Sequence, residues 1–311
     1  MVRLCIATVL IMLSAFGQSE SQSGKGGWTI PRIVAVGDLH GDHQNAVKVL
    51  KMTNVIDADL KWAGGDRTIL VQTGDVVDRG PDAFKLYKML RRLQEEAQLA
   101  GGQAVNLLGN HEIMNIMGIY DYVSPEDIQQ FGNITDRIIA FSKDGWVGKY
   151  LRKLNVTAIV EDTVFCHGGI PVPWAKKGVE HMNTIAKDDL DTKTPQELWE
   201  APIFGEHGPT WYRGYALDSE ESICAVVDEA LAHLSVKRMV VGHTVQEDGR
   251  IHTRCQGKVI LIDVGISAVY GGHLAALELT PTSARAIYPT ESVQLELPPG
   301  YLLATEDSDE L

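Results

Sequence analysis

Short apolar runs that each stop at a polar motif containing glycine dominate this sequence. They occupy residues 33–36, 68–71, 105–108, 163–166, 238–241 and 258–262. Short runs rich in Val, Ile and Leu and bounded by glycine are typical of buried β-strands. Patterns with helical spacing lie between them, at 45–52, 82–99, 125–141 and 222–234. A chain in which strands alternate with helices predicts an α/β layered fold.

Five of these runs lead into motifs with metal-ligating side chains. The motifs are GDLHG at 37–41, GDVVDRG at 74–80, GNHE at 109–112, HGG at 167–169 and GHT at 242–244. Side chains just past the carboxyl ends of adjacent strands converge on one crevice, so we expect these motifs to meet. Together they supply three histidines, two aspartates and one amide oxygen: His40, His167, His243, Asp38, Asp75 and Asn110.

This ligand set restricts the ions that the site can bind. Asp38 and His40 are two residues apart, a spacing that directs both side chains to the same side of an extended segment. Mixed nitrogen and oxygen ligands suit Mn, Fe or Zn, whereas calcium takes oxygen ligands. Each motif alone is more often a turn or a helix cap. The five motifs in one order predict instead a site for two ions that share an aspartate.

In their order and form, these motifs resemble those of the calcineurin-like metallophosphoesterases, and the DRG and GNHE forms resemble the phosphoprotein phosphatase (PPP) branch. The resemblance covers roughly residues 33–270. It implies an α/β fold with a central β-sandwich flanked by helices, and we assign residues 30–290 to one catalytic domain. It also implies a metal-dependent phosphomonoester hydrolase with two divalent or mixed-valence ions, in which a metal-bound hydroxide attacks the phosphorus.

The resemblance further implies which residues bind each ion. The first ion would be held by Asp38, His40 and Asp75. The second ion would be held by Asp75, Asn110, His167 and His243. Asp75 would therefore bridge the two ions.

His111 and Arg79 have the implied catalytic roles. By the same resemblance, His111 is the general acid that protonates the leaving oxygen, and Asp78 orients its ring. Arg79 binds the phosphate oxygens, assisted by Arg213 and Asn110. These roles agree with the chemistry, because a phosphate dianion resists attack until positive charge neutralises its oxygens and the leaving alkoxide receives a proton. The alternative for Asp78 and Arg79 is that they form only a local ion pair, and the alternative for Arg213 is that it is a surface residue without a role in the site.

One loop departs from the common protein Ser/Thr phosphatases. Those enzymes carry a SAPNYCG loop near the C-terminus, whereas residues 267–272 read SAVYGG, without the Pro-Asn pair and the Cys. Together with GD at 41–42 and GPTWYRG at 208–214, this departure resembles the Shewanella-like phosphatases.

The altered loop leads to a prediction about inhibitors. In the common enzymes the SAPNYCG loop accepts natural toxin inhibitors, so we expect this chain to be only weakly sensitive to them. Titration of such toxins in a phosphatase assay measures the sensitivity, and nanomolar inhibition would refute the prediction.

The substrate stays open at this point. A protein Ser/Thr phosphatase is the leading hypothesis; the alternatives are a protein tyrosine phosphatase, a hydrolase of nucleotides or dinucleoside polyphosphates, and an inactive scaffold. All predicted metal ligands and His111 are present, which argues against an inactive scaffold. The stretch between HGG and GHT holds aromatic residues that are either core residues or the lining of a substrate groove: Trp174, Trp199, Trp211, Tyr212 and Tyr215.

The two ends of the chain predict entry into the secretory pathway. Residues 1–17 have a positive start, an apolar run and a small-residue exit, which indicates a signal peptide; a membrane anchor is the alternative, but the run is shorter than the ~20 residues of a bilayer span. Residues 18–29 are a predicted disordered linker. The acidic tail 291–311 ends in SDEL, similar to the KDEL address, so we predict the endoplasmic reticulum lumen and a retrieval receptor as a partner. Sequons at Asn133 and Asn155 fit that compartment.

Charge and cysteine content exclude some partners and scaffolds. The formal net charge is −13 and no run of Lys and Arg occurs, which argues against a nucleic-acid partner but allows one phosphate at a locally positive site. After the predicted signal peptide, three cysteines remain. Cys224 and Cys255 are a possible disulfide, and Cys166 in a predicted strand is interpreted as a small buried apolar residue.

Overall fold

The apolar runs form strands in two mixed β-sheets. The structure is a computed structural model that describes residues 32–300. Its strands in that range are β1 (Arg32–Val36), β2 (Thr68–Gln72), β3 (Gln103–Asn106), β4 (Thr157–Val160), β5 (Thr163–Cys166), β6 (Arg238–Val241), β7 (His252–Arg254), β8 (Val259–Leu261), β9 (Ala276–Thr280), β10 (Ser283–Ile287) and β11 (Ser292–Gln294).

Strand order brings the motif-bearing ends together. The first sheet has the order β11-β10-β9-β1-β2-β3, and the second has the order β4-β5-β6-β8-β7. β1, β2 and β3 are parallel to one another, and so are β5, β6 and β8. Parallel neighbours end at the same edge of a sheet, so the loops that follow them lie side by side. Val34, Val71 and Val240 from the two sheets are fully buried in one apolar core.

Helices flank the sheets, which confirms the predicted α/β sandwich. They are α1 (His43–Met52), α2 (Ala83–Leu99), α3 (Asn110–Ile116), α4 (Pro125–Gln130), α5 (Ile134–Phe141), α6 (Trp146–Leu151), α7 (Val172–Ala175), α8 (Val179–Thr192), α9 (Pro195–Trp199), α10 (Gly214–Leu217) and α11 (Glu220–Leu234). The amphipathic pattern of α2 buries Leu86, Leu90 and Leu93, as its helical spacing predicts. In the part of the chain that the structure describes, no helix is long and apolar enough to cross a membrane.

The helix predicted over 125–141 is two helices. α4 and α5 are separated by a turn in which Gly132 has a φ of +105°, a conformation that a residue with a Cβ adopts only with strain. The side chain of Asn133 then accepts a hydrogen bond from Asp136 N at 3.0 Å, which caps the first turn of α5. The apolar periodicity runs through both helices, so periodicity alone does not reveal the break.

The C-terminal strands were not predicted from the sequence. β9 pairs with β1, and β10 pairs with both β9 and β11, all antiparallel. The boundary predicted at residue 290 therefore falls inside the first sheet, because β11 belongs to what was predicted as the acidic tail. β11 is a strand because it pairs with β10, and this pairing was not predicted from the sequence. The predicted signal peptide and linker, and the SDEL end, lie outside the described residues.

The cysteines are arranged as the sequence allowed. Cys224 on α11 and Cys255 after β7 form a disulfide with a Cα–Cα distance of 5.3 Å. Cys166 is a fully buried free thiol on β5, and burial raises the pKa of this thiol well above its usual value. Cys166 is therefore an unreactive core residue at neutral pH.

Candidate active site

Backbone hydrogen bonds join the loops of the first two motifs. His40 N donates to Asp75 O at 2.9 Å, and Gly41 N donates to Val76 O at 2.9 Å. Gly80 N donates in return to His40 O at 2.9 Å. The loops after β1 and β2 are therefore one structural unit, and the ligands on them have a fixed mutual position.

Several of the predicted site residues have a left-handed backbone. The φ angle is +39° at His40, +55° at Asp75 and +65° at His243, and it is +69° and +68° at Asp78 and Arg79. Such a conformation costs about 1–3 kcal/mol for a residue with a Cβ and persists only where surrounding contacts determine it. Of the eleven non-glycine residues with positive φ in the described range, these five lie in the predicted motifs.

Glu112 provides part of that constraint. Its buried carboxylate accepts hydrogen bonds from Asp75 N at 2.8 Å, Val76 N at 2.9 Å and Gly109 N at 2.8 Å, and from the Tyr87 hydroxyl at 3.0 Å. It thereby connects the loop after β2 to the start of α3. Glu112 was not among the site residues predicted from the sequence, although it is the last residue of the GNHE motif.

The predicted metal ligands converge around the carboxylate of Asp75. Its Oδ2 lies 3.5 Å from His40 Nε2, 3.2 Å from His167 Nε2 and 3.9 Å from His111 Nε2. Asp75 belongs to two groups whose ligand atoms lie within 4.8 Å of one another, one with His40 and His111 and one with His167 and His243. Asp75 is thus the one shared member of both groups, the position that a bridging ligand requires.

Two histidine rings are oriented as metal ligands. His40 Nδ1 lies 3.1 Å from Val77 O, and His167 Nδ1 lies 3.1 Å from Thr73 O. A carbonyl acceptor puts the proton on Nδ1, which leaves the Nε2 lone pair directed at the carboxylates. The Asn110 side-chain oxygen is 2.9 Å from Nε2 of His167. Ligand atoms of the right types therefore face a common centre.

The buried charge of the site also fits metal ions. Burial raises the pKa of Asp38 well above its usual value, and Asp263 and Asp75 add to the effect. Burial opposes ionisation of Asp75 as well, but His167, His111 and His40 outweigh it and hold the pKa of Asp75 well below its usual value. Buried carboxylates at this density require positive charge, which bound cations supply.

Unpaired polar atoms point to the same conclusion. His243 Nε2 and Asp263 Oδ2 are buried without a hydrogen-bond partner among the described residues. Burial raises the pKa of Asp263 to about 6. Asp263 was not among the site residues predicted from the sequence, although it follows β8 in the same way that Asp38 follows β1. The donor set therefore fits two ions, and Asp263 is a further carboxylate beside it.

His111 and Asp78 form a hydrogen-bonded pair beside these ligands. His111 Nδ1 is 2.7 Å from Asp78 Oδ2, and Asp78 is fully buried. Burial lowers the pKa of His111, but Asp75 and Asp78 more than offset this and raise it above its usual value. An imidazole that keeps its proton near neutral pH is suited to act as a general acid.

A buried arginine supports that pair. Asn115 Nδ2 donates to both carboxylate oxygens of Asp78, at 2.9 and 3.0 Å. Arg137 Nη1 donates to Asn115 Oδ1 at 2.7 Å, and its Nη2 lies 3.6 Å from Asp78 Oδ1. Arg137 Nε in turn donates to Asp127 at 2.9 Å. Arg137 is far from every motif in the sequence, so its contact with Asp78 could not be predicted from the sequence.

We expect Arg137→Met to slow turnover by about 10- to 100-fold while the bound metal is retained, because the orientation of His111 depends on Asp78. The loss should be larger for alkyl phosphates, which need the proton, than for nitrophenyl phosphate. Steady-state kinetics on both substrates measures this. Arg238→Met is the matched control, since Arg238 is equally buried but hydrogen-bonds Thr163 in the second sheet. Equal losses on both substrates would contradict the prediction.

Arg79 is held between two tyrosines. Its guanidinium carbon lies 4.1 Å from the Tyr122 ring centroid and 5.8 Å from that of Tyr270. The same rings contact two histidines of the site, Tyr122 with His111 and Tyr270 with His40, at centroid distances of 5.1 Å. Arg79 Nε is buried and has no hydrogen-bond partner among the described residues. Tyr122 and Tyr270 belong to none of the five metal-ligand motifs, so their contacts with Arg79 were not predicted from the sequence.

Arg213 reaches the site from the other side. Its Nη1 donates to His243 O at 2.6 Å and to the Thr244 hydroxyl at 3.2 Å. Arg79 and Arg213 line one cavity of about 410 Å³. Of the other predicted site residues, His40, Asp75, Asn110, His111 and His243 line this cavity too. The other three contact the lining residues, Asp38 with His40 at 3.8 Å, Asp78 with His111 at 2.7 Å and His167 with Asp75 at 3.2 Å, so all ten predicted residues belong to one cluster.

The comparisons with known proteins agree with this fold and site. A model of the calcineurin-like phosphoesterase family matches residues 31–247, most of the chain, and the chain belongs to this family. A Schizosaccharomyces pombe protein of uncharacterised function is 38% identical, over 85% of this chain and 82% of that one. Shewanella-like protein phosphatase 2 of Arabidopsis thaliana is 33% identical, over 76% of this chain and 71% of that one.

A solved structure extends the similarity to three dimensions. The cold-active protein tyrosine phosphatase of a psychrophilic Shewanella species superposes with a TM-score of 0.75 and 29% identity, over 86% of this chain and 81% of that one. The resemblance predicted from the motifs is thus confirmed. A phosphatase of metallophosphoesterase type, with residues suited to bind metal, is what the fold and the site define.

Proposed function

We propose that this chain is a phosphoprotein phosphatase. The observation that carries the proposal is the position of the His111–Asp78 pair next to the Asp75-centred ligands, with Arg79 and Arg213 on the same cavity. This arrangement combines a proton donor, phosphate-binding guanidinium groups and a cation site, which are the three requirements of phosphomonoester hydrolysis.

Each residue has a defined part in the proposed reaction. The six predicted ligands would hold the ions, which when bound would supply charge that stabilises the phosphoryl oxygens and would lower the pKa of water. Arg79 and Arg213 bind the phosphate oxygens and orient the ester. His111 delivers its Nε2 proton to the leaving oxygen. Asp78 accepts a hydrogen bond from Nδ1 of the same ring and so keeps the second proton on that nitrogen. Glu112 keeps the loops that carry Asp75 and Asn110 in register.

Two preferences for the phosphorylated residue follow from different observations. The PPP-type motifs support phosphoserine and phosphothreonine, as predicted from the sequence. The aromatic walls of the cavity, with Tyr122, Trp211 and Tyr270, support phosphotyrosine, because a phenyl ring gains contact area there. The similarity to a Shewanella protein tyrosine phosphatase supports the second preference too, and we favour phosphotyrosine.

A substrate panel tests the proposal. The purified protein, loaded with Mn²⁺, is assayed on peptides that differ only in phosphoserine, phosphothreonine or phosphotyrosine, and on dinucleoside tetraphosphates and an aryl phosphate. We expect the highest kcat/KM for the phosphotyrosine peptides. Faster hydrolysis of dinucleoside tetraphosphates than of every peptide would overturn the phosphoprotein assignment.

We further propose that the chain works in the lumen of the endoplasmic reticulum. The disulfide between Cys224 and Cys255 supports an oxidising compartment. The sequon residue Asn133 is exposed, so it is accessible to glycosylation. We expect the protein from eukaryotic cells to shift on endoglycosidase H treatment, Asn133→Gln to reduce the shift, and deletion of residues 308–311 to release the protein to the medium. A cytosolic, unglycosylated protein would contradict this proposal.

A further inference from the structure

A second cavity adjoins the catalytic one. We call it the aromatic groove; it is lined by residues 117, 199, 204–207, 211–214, 217 and 218 and has a volume of about 720 Å³. Trp211, Arg213 and Leu217 line the groove and the catalytic cavity alike. A molecule whose phosphate lies at the catalytic cavity can therefore continue directly into the groove.

The groove presents large apolar side chains. Trp199 is the last residue of α9 and is 59% exposed, and Leu217 at the end of α10 is 66% exposed. Tyr212 and the buried Phe204 also line the groove, and the Tyr212 ring packs edge-on against buried Tyr215 at 4.9 Å. Exposed apolar surface of this kind, continuous with a catalytic cavity, is a site where a ligand covers the side chains.

The groove carries charges of both signs. Arg213 lines both the groove and the catalytic cavity, whereas Glu206 and Asp218 line the groove alone. A guanidinium group therefore lies where the two cavities meet, and the groove adds two carboxylates. This distribution suits a ligand with an anionic group at one end and apolar and basic groups beyond it, and it repels a longer polyphosphate chain.

We propose that the aromatic groove binds the residues next to the phosphorylated residue of a protein substrate, with a large apolar side chain against Trp199 and Leu217. A basic residue of the substrate then lies near Glu206 or Asp218. This inference rests on the proposed function, since it needs a peptide in the catalytic cavity. It adds a sequence preference, which the motifs of the catalytic site do not specify.

The test compares matched phosphopeptides that carry Phe or Gly at one position, scanned through three residues on each side of the phosphorylated residue. For the Mn²⁺-loaded protein we expect kcat/KM to be about tenfold higher for Phe at one or more positions. Trp199→Ala should abolish most of this ratio and leave kcat/KM for an aryl phosphate unchanged. Leu99→Ala is the matched control, because Leu99 is an 89% exposed apolar residue at the end of α2.

The outcomes separate the two proposals. Equal kcat/KM for Phe and Gly peptides at all positions would overturn the groove assignment while the phosphatase function stands. Hydrolysis of the aryl phosphate without hydrolysis of any phosphopeptide would overturn the proposed function and the groove assignment together. If Trp199→Ala instead lowered the rate on dinucleoside tetraphosphates alone, the groove would bind a nucleobase and our assignment would be wrong.

Discussion

His111→Ala is expected to lower kcat by about 10²- to 10⁴-fold, the contribution of a positioned general acid, while the bound metal stays in place. The leaving oxygen then departs without a proton, so the loss should grow with the pKa of the leaving alcohol. Kinetics on a series of aryl and alkyl phosphates, with metal content measured on the same samples, checks both parts of this expectation.

The control is a histidine outside the site. His181 on α8 is exposed, so His181→Ala should match the native protein in rate, metal content and thermal stability. If His111→Ala lost its metal together with its activity, His111 would be a ligand and not the acid. Metal content must therefore be measured, because His111 Nε2 lies 3.9 Å from Asp75 Oδ2, close enough to share a metal ion with it.

Asp75→Asn is expected to remove metal binding and activity together. Asn has the same shape, and its oxygen can still accept the hydrogen bond that His111 N gives to Asp75 Oδ1 at 3.0 Å, so the loop should keep its conformation. The negative charge between the two groups of ligands is lost. Replacing residues that only orient metal ligands already costs about 10- to 100-fold in affinity, so we expect a greater loss for the shared ligand.

Metal analysis and thermal unfolding provide the measurement. Added Mn²⁺ should raise the Tm of the native protein by mass action and should leave the Tm of Asp75→Asn unchanged. Asp248→Asn is the matched control, because Asp248 is an exposed carboxylate whose partner is His252. An active Asp75→Asn that binds two ions per chain would end the bridging assignment.

The two substitutions separate functions that lie very close together. Asp75 contacts His40 and His167, whereas His111 also contacts Asp78, which has its own supporting residues. Loss of metal in one variant and loss of proton transfer in the other would therefore assign the two roles independently. Variants that behaved alike would indicate a single cooperative unit.

Much of the site was predictable because its signals are local. Asp38, Asp75 and Asn110 each follow a short apolar run and a glycine, and such a run is recognisable as a strand without tertiary information. The strands β1, β2, β5 and β6 begin and end within one or two residues of the predicted runs. The ligand types alone also restricted the ions and the reaction class.

Other features depend on contacts between distant segments. Arg137 on α5 reaches Asp78 beside Asn115 of α3, and Tyr122 reaches Arg79 from a loop of no regular structure. β9 and β10 include charged residues and alanines, β11 has only three residues, and all three strands are paired with one another or with β1. The β-strand propensity of single residues predicts such strands poorly, because pairing with neighbouring strands decides their conformation.

By itself, the sequence of this chain determined the family and predicted the ligand set and the general acid, because the identity of a side chain and its place after a strand decide what chemistry it can perform. Only the tertiary structure decided which ring nitrogen of His40 and His167 faces the carboxylates, how Glu112 and Arg137 hold the reacting groups, and that Trp199 and Leu217 extend the catalytic cavity. These are matters of distance and orientation between segments far apart in the chain, and the physical reason is that packing, not local pattern, sets them.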